Sequence, residues 1–115
     1  MTILHLTFVQ MFVAMLVLHV IADYPLQGDF LSKAKNRTTP LPGVPWYQAL
    51  GAHALIHAGA VWLVTGSLTL GCLELIAHAL IDDTKCAGRI TFNMDQLAHV
   101  VCKCVWACGA AWVLM

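Results

Sequence analysis

The chain is short of charge. Six Lys/Arg and six Asp/Glu make up only 10% of 115 residues and cancel to a formal net charge of zero. Without a basic excess there is no stripe to track phosphates, so nucleic acid is excluded as a partner. C-x-x-C spacing is also lacking. The five cysteines, Cys72, Cys86, Cys102, Cys104 and Cys108, fit neither a disulfide framework nor a zinc ribbon, and read as small apolar fillers. No secretory signal is expected, because the first apolar run has no basic start and no small-residue cleavage site. That run is expected to be retained.

What remains is apolar. A hydrophobic share of 60% lies far from a soluble average and is a membrane composition. The pattern predicts an all-α polytopic membrane protein, a single domain over 1–115 built as a four-helix transmembrane bundle. Its helices are expected at about 3–23, 46–65, 68–82 and 95–115, since roughly 20 apolar residues cross a hydrocarbon core of roughly 30 Å. Pro25 should end the first. A polar loop over 24–45 follows, with Lys33, Lys35, Arg37, Pro40, Pro42 and Pro45 and a short interfacial helix near Gly28 to Lys35. Trp46 and Tyr47 serve as interface anchors, Gly51, Ala52, Gly59 and Ala60 allow close helix packing, and Gly66-Ser67 is a tight turn. The third helix is expected to be short and packed inside the others.

Orientation follows from the cations. Lys33, Lys35, Arg37, Lys85 and Arg89 all fall in the first and third links, which places those links on the cytoplasmic side and both termini on the other.

Each apolar run carries a spaced polar pair: His19 with Asp23, His53 with His57, His78 with Asp82, and Asp95 with His99. Residues four apart share a helix face, so each pair can address one object. With the orientation above, all four pairs fall at similar depth near the cytoplasmic face. An ionisable group inside a membrane helix costs roughly 2.5–3.5 kcal/mol on insertion scales, so these groups should turn inward and meet.

Mixed imidazole and carboxylate donors suit a divalent metal, zinc first and iron or manganese next. His53, His57, His78 and Asp82 are the leading ligand candidates, with His19, Asp23 and His99 completing or supporting the site. The set exceeds the needs of one four-coordinate ion, so either two metals share it or half its members orient the ligands. Asp83 or Asp95 is the candidate general base. Gln96 or Lys85 would steady developing negative charge, and the loop with Gln27 would admit a head group. Glu74 lies deepest and is expected to pair with Lys103 or a histidine. Asp82, Asp83 and Asp95 are also acceptable as helix-end residues, and Lys85 and Arg89 as determinants of topology alone. His5 is expected at the opposite interface, and Trp62, Trp106 and Trp112 facing lipid or in an interfacial belt.

These motifs together carry a resemblance. His19-Val20-Ile21-Ala22-Asp23-Tyr24-Pro25-Leu26-Gln27 followed by Lys33, then His53-Ala54-Leu55-Ile56-His57, His78-Ala79-Leu80-Ile81-Asp82-Asp83-Thr84-Lys85 and Asp95-Gln96-Leu97-Ala98-His99, resemble the small bacterial and phage-borne membrane proteins gathered as domain of unknown function 3307. The resemblance implies a four-helix, multi-pass protein of the bacterial inner membrane with a polar signature, and it brings no activity with it. More loosely, the scattered pairs are similar to those of intramembrane metal-dependent hydrolases of the ceramidase and receptor-like kind.

The leading expectation is therefore a metal-dependent hydrolase of a lipid or lipid-linked substrate at the cytoplasmic interface, with the bilayer, and in some forms a second copy of the chain, as partners. The alternatives are a proton or metal-ion path, favoured by Glu74 and Lys103, and a non-enzymatic assembly or exclusion protein whose polar cluster is structural.

Overall fold

The computed structural model describes residues 5–114, with side chains through 113. Among them it is all-α: α1 Phe8–Asp23, α2 Gly28–Ala34, α3 Trp46–Thr65, α4 Leu68–Cys86 and α5 Phe92–Leu114. Residues 3, 4 and 115 of the expected helices lie outside the described residues.

Caps explain where the observed ends differ from the expected ones. Helix α1 starts at Phe8 because Thr7 and Gln10 form a capping box: Thr7 Oγ1 accepts from Gln10 N at 3.3 Å, and Gln10 Oε1 accepts from Thr7 N at 2.9 Å. Tyr24 and Pro25 close it, and α2 leaves at 86° to it. The α3–α4 link is short because Gly66 takes φ +71, the left-handed C-terminal position that suits a residue without Cβ, while Ser67 Oγ accepts from Leu70 N at 3.2 Å. Helix α4 is not short. It runs 19 residues, past Asp82 to Cys86, because Lys35 and Lys85 approach Asp82 and make its burial tolerable. Helix α5 begins at Phe92, three positions before Asp95, where Thr91 Oγ1 accepts from Met94 N at 3.1 Å.

The four long helices form a ring in which α3 and α4 make an antiparallel hairpin, α1 lies against α3 and α5, and α4 closes on α5; α2 rests on α3. Buried apolar positions are mostly small: Ala22, Ala49, Ala54, Ala58, Ala107 and Ala110, joined by Met11, Met15, Leu50 and Val61. Small residues bring backbones close. At Gly71 the approach is close, since a Cβ there would stand 3.0 Å from Ala58 O and 3.1 Å from Trp62 Cβ.

Burial is inverted relative to a water-soluble bundle. The interior holds His19, His53, His57, Glu74, His78, Asp82, Asp95, His99 and Lys103, while large apolar side chains cover the outside. Val13, Val17 and Val20 on α1, Leu73, Ile76 and Leu80 on α4, and Leu97, Val101 and Val105 on α5 are all exposed at helical spacing. By length and composition, however, only Phe92–Val113 passes as a membrane span among the described residues, with α1 and α2 counting as a second only if the bent pair is one span. Helix α1 has just 16 residues, α3 carries two histidines, and α4 carries Glu74, Asp82, Asp83 and Lys85. Helix α1 falls short by length, and in α3 and α4 these polar residues, most of them turned inward, count against a span.

The close α3–α4 approach should be intolerant of bulk. Gly71→Leu is expected to destabilise the protein by about 1–3 kcal/mol, read as a lower unfolding midpoint in detergent. Gly59→Ala, whose new Cβ meets nothing within 4 Å, should leave the midpoint unchanged or slightly raised.

Candidate metal centre

At the end of α1, Asp23 is the point on which four side chains converge. Its Oδ1 lies 2.8 Å from His57 Nε2 and 3.2 Å from His53 Nε2; its Oδ2 accepts from Gln96 Nε2 at 3.0 Å and lies 3.2 Å from His19 Nε2. The i, i+4 spacing of His53 and His57 puts both rings on the face of α3 turned toward α1. Gln96 reaches two ways from α5, its Nε2 also donating to Asp95 Oδ2 at 3.1 Å and its Oε1 lying 3.1 Å from His19 Nε2.

Five imidazoles fill the space between the helices. His57 and His78 stack with ring centroids 3.8 Å apart, His78 and His99 at 4.2 Å, and His53 tilts against His57 at 4.8 Å. A neutral imidazole offers one N–H and one lone pair, so a buried ring needs two partners. Several atoms find none within the protein, among them His53 Nε2, His78 Nε2 and Asp95 Oδ1. His53 Nε2 is near Asp23 but misaligned for a hydrogen bond. Each buried polar atom left in this way costs about 1–3 kcal/mol.

Deeper in the bundle, Glu74 is fully engaged. Its Oε1 accepts from Lys103 Nζ and lies 3.3 Å from His78 Nδ1, and its Oε2 accepts from Trp106 Nε1 at 2.6 Å. The expectation that Glu74 pairs with Lys103 or a histidine therefore holds for both at once. Trp106 corrects its own expectation: it turns inward as a donor, whereas Trp62 and Trp112 face outward.

On the side of the cluster away from Glu74, Asp82 Oδ2 accepts from Lys35 Nζ at 2.5 Å and lies 3.5 Å from His53 Nε2; its Oδ1 lies 3.5 Å from Lys85 Nζ. Lys35 is buried at 1% exposure and also donates to Gln27 Oε1. Gln27 Nε2 in turn donates to the Asp23 backbone oxygen at 3.3 Å, so α2 is latched over the end of the bundle. Lys35 is the residue that sequence reasoning missed, since as a cation of the 24–45 link it counts there only toward topology. The available signal was charge balance: Glu74, Asp82, Asp95 and Asp23 face only Lys103 and Lys85 within the long helices. Lys85 also lies 5.9 Å from the Phe92 ring centroid, at the edge of the site.

Of the expected site residues, the structure brings together His19, Asp23, His53, His57, His78, Asp82, Asp95, Gln96 and His99, with Lys85 at the rim. Asp83 stands apart. It is turned out to Arg37, accepting from Arg37 Nε at 2.6 Å, and this bond and charge raise the guanidinium above its usual value. His5 is exposed.

Three groups place one donor atom per residue within 4.8 Å of one another: Asp23, His53, His57 and His78; Glu74, His78 and His99; and Asp82, Asp95 and His99. These can hold a metal ion. The first has the mixed donors and the count of four that zinc favours. A lysine already stands on a carboxylate in the second and the third, Lys103 on Glu74 and Lys35 on Asp82; both Glu74 oxygens are engaged, by Lys103, His78 and Trp106, whereas Asp82 Oδ1 has only Lys85 at 3.5 Å.

Residues 11–114 match the family model described as Protein of unknown function (DUF3307). The chain belongs to that family. No curated protein and no solved structure matches it. The matched span of this DUF3307 chain runs from within α1 to the end of α5 and includes every member of the cluster.

Two lysines two positions apart should separate in their effects. Lys35→Met leaves Asp82 without its closest cation and is expected to destabilise the protein by about 3–5 kcal/mol. Lys33→Met breaks only the exposed pair with Asp29 and should cost less than about 1 kcal/mol. Denaturation of the two variants side by side in detergent measures the difference.

Proposed function

We propose that this DUF3307 protein is an integral membrane protein of four spans that binds a divalent metal at Asp23, His53, His57 and His78, zinc first, and hydrolyses a lipid or lipid-linked substrate at the cytoplasmic interface. The observation that carries the metal reading is the convergence of His53 Nε2 and His78 Nε2, both buried and without hydrogen bonds in the protein, on Asp23 and His57. An ion accepting these lone pairs removes the penalty that the arrangement otherwise carries.

The inverted burial supports the membrane reading. In hydrocarbon the exposed valines and leucines need no cover, and the polar groups are stable only when turned inward to one another. The bundle is 48 Å in its longest dimension, enough for a bilayer with its head-group regions. Five of the six cations lie in or beside the α1–α3 and α4–α5 links, which supports placing those links in the cytoplasm and both termini opposite.

A divalent ion in this set would lower the pKa of a coordinated water toward about 7. The surrounding side chains supply the rest. Glu74 fixes His78 through Nδ1 so that Nε2 faces the site, and Lys103 and Trp106 hold Glu74 in place. Asp23 is reachable from the end of the bundle, its side chain 12% exposed, and Lys85, 3.5 Å from Asp82 and 22% exposed, offers a cation to developing negative charge. Exposed Tyr24, Leu26, Phe30, Phe92 and Met94 surround that end with apolar surface suited to an interfacial substrate.

A second reading, a proton path, is favoured by the continuous line from Asp23 through the stacked rings of His57 and His78 to Glu74 and Lys103.

Metal content of detergent-purified protein, wild type beside His53→Ala/His57→Ala, tests the main reading. Stoichiometric metal in the wild type and one ion fewer per chain in the folded variant is expected; equal content in the two, or no metal in either, overturns it. Metal-loaded protein mixed with vesicles of bacterial lipid extract should release a hydrolysis product visible by mass spectrometry that the variant does not release. Bound metal with no product confines the ion to a structural role. For the second reading, reconstituted vesicles must dissipate a pH gradient faster than empty ones, and equal rates dismiss it.

A further inference from the structure

The cluster has a second face that the four-ligand site leaves unexplained. Asp95, at 1% exposure, has one oxygen, Oδ2, taken by Gln96 Nε2, while Oδ1 accepts no hydrogen bond although it lies 3.3 Å from His99 Nε2. A buried carboxylate oxygen without a donor is more costly than a neutral orphan, because the desolvated charge is uncompensated. Within 4.8 Å of a donor atom of each stands a second buried carboxylate, Asp82. Two carboxylates and an imidazole converging in the interior, one oxygen unpartnered, are the donor set of a hard or borderline cation.

The charges lead the same way. Asp23, Glu74, Asp82 and Asp95 are four carboxylates against three ammonium groups, Lys35, Lys85 and Lys103. Lys103 is committed to Glu74, deep in the bundle, and both Lys35 and Lys85 are committed to Asp82. Asp95 is the carboxylate with no lysine in contact among the described residues. His99 links the two faces, stacking on His78 of the first site at 4.2 Å.

We infer that Asp82, Asp95 and His99 form a second divalent-cation site, so that the centre holds two ions side by side. This rests on the metal reading above and adds the second ion to it. The two sites draw on different residues, Asp23, His53, His57 and His78 for one and Asp82, Asp95 and His99 for the other, so neither ion needs a donor assigned to its neighbour. Paired ions at short separation clamp the attacking and leaving oxygens of one substrate, which fits an ester of a phosphorylated or carboxylated lipid better than a lone ion does.

Manganese is the probe, because two neighbouring Mn2+ ions couple magnetically. Apo protein in detergent is loaded with Mn2+, and bound metal is measured by mass spectrometry and by electron paramagnetic resonance. Two ions per chain with a coupled spectrum are expected in the wild type. Asp95→Asn, which keeps the side-chain oxygen and the contact with Gln96, should bind one ion with an uncoupled spectrum, and His53→Ala/His57→Ala should keep only the second ion. One uncoupled ion in the wild type, unchanged in Asp95→Asn, overturns the second site and leaves the first standing. One ion in the wild type that disappears in the His53/His57 variant has the same meaning, so the test does not depend on the stability of Asp95→Asn. No ion in the wild type overturns both.

Discussion

Asp23 is the constraint on which the bundle depends. A carboxylate at the end of α1 draws His53 and His57 from α3, Gln96 from α5 and His19 from its own helix, so three of the four long helices meet on two oxygen atoms. Such a group is stable away from water only when each lone pair is met. Every partner must then be brought to one depth, which sets the relative rotation of the helices more strictly than apolar contacts among alanines could. Asp82 repeats the logic at α4, where Lys35 arrives from α2 and ties the loop back onto the bundle.

The small buried residues make this arrangement possible. With alanines at much of the helix contact surface and Gly71 against Ala58 and Trp62, the backbones come near enough for rings from α3, α4 and α5 to stack at 3.8 and 4.2 Å. Larger side chains would hold the helices apart and leave the imidazoles separated by space too polar to stay dry. Close packing and the polar cluster are therefore one feature, and the apolar outer surface is its complement: side chains that would fill the core of a soluble bundle point outward because the interior is taken.

Within the cluster, functional capacity lies in the difference between satisfied and unsatisfied atoms. Glu74 is saturated by Lys103, Trp106 and His78 and acts as a fixed support. His53, His78 and Asp95 present atoms with nothing to bond to. A purely structural network would be expected to close on itself, as the Glu74 group does. The part nearer Asp23 and Asp82 does not, and that part carries the proposed chemistry.

Much of this was legible in the sequence because helical periodicity is local. The pairs His19/Asp23, His53/His57, His78/Asp82 and Asp95/His99 announce their shared faces through spacing alone; the helical class, the four main helices (the third of them expected short), the small helix after Pro25 and the family were legible too. Helix ends were less legible: α1 begins five residues inside its expected start because of one capping box, and α4 runs on to Cys86 because a lysine from elsewhere neutralises Asp82. Only the tertiary structure decided that Lys35 crosses 47 positions to reach Asp82, that Trp106 turns inward to Glu74, that Asp83 turns out to Arg37, and which nitrogen of each histidine faces which oxygen. The division has a physical cause. A repeat of 3.6 residues fixes which side chains share a face, whereas the partner that a face meets depends on the path of the whole chain and on the charge that the interior must balance.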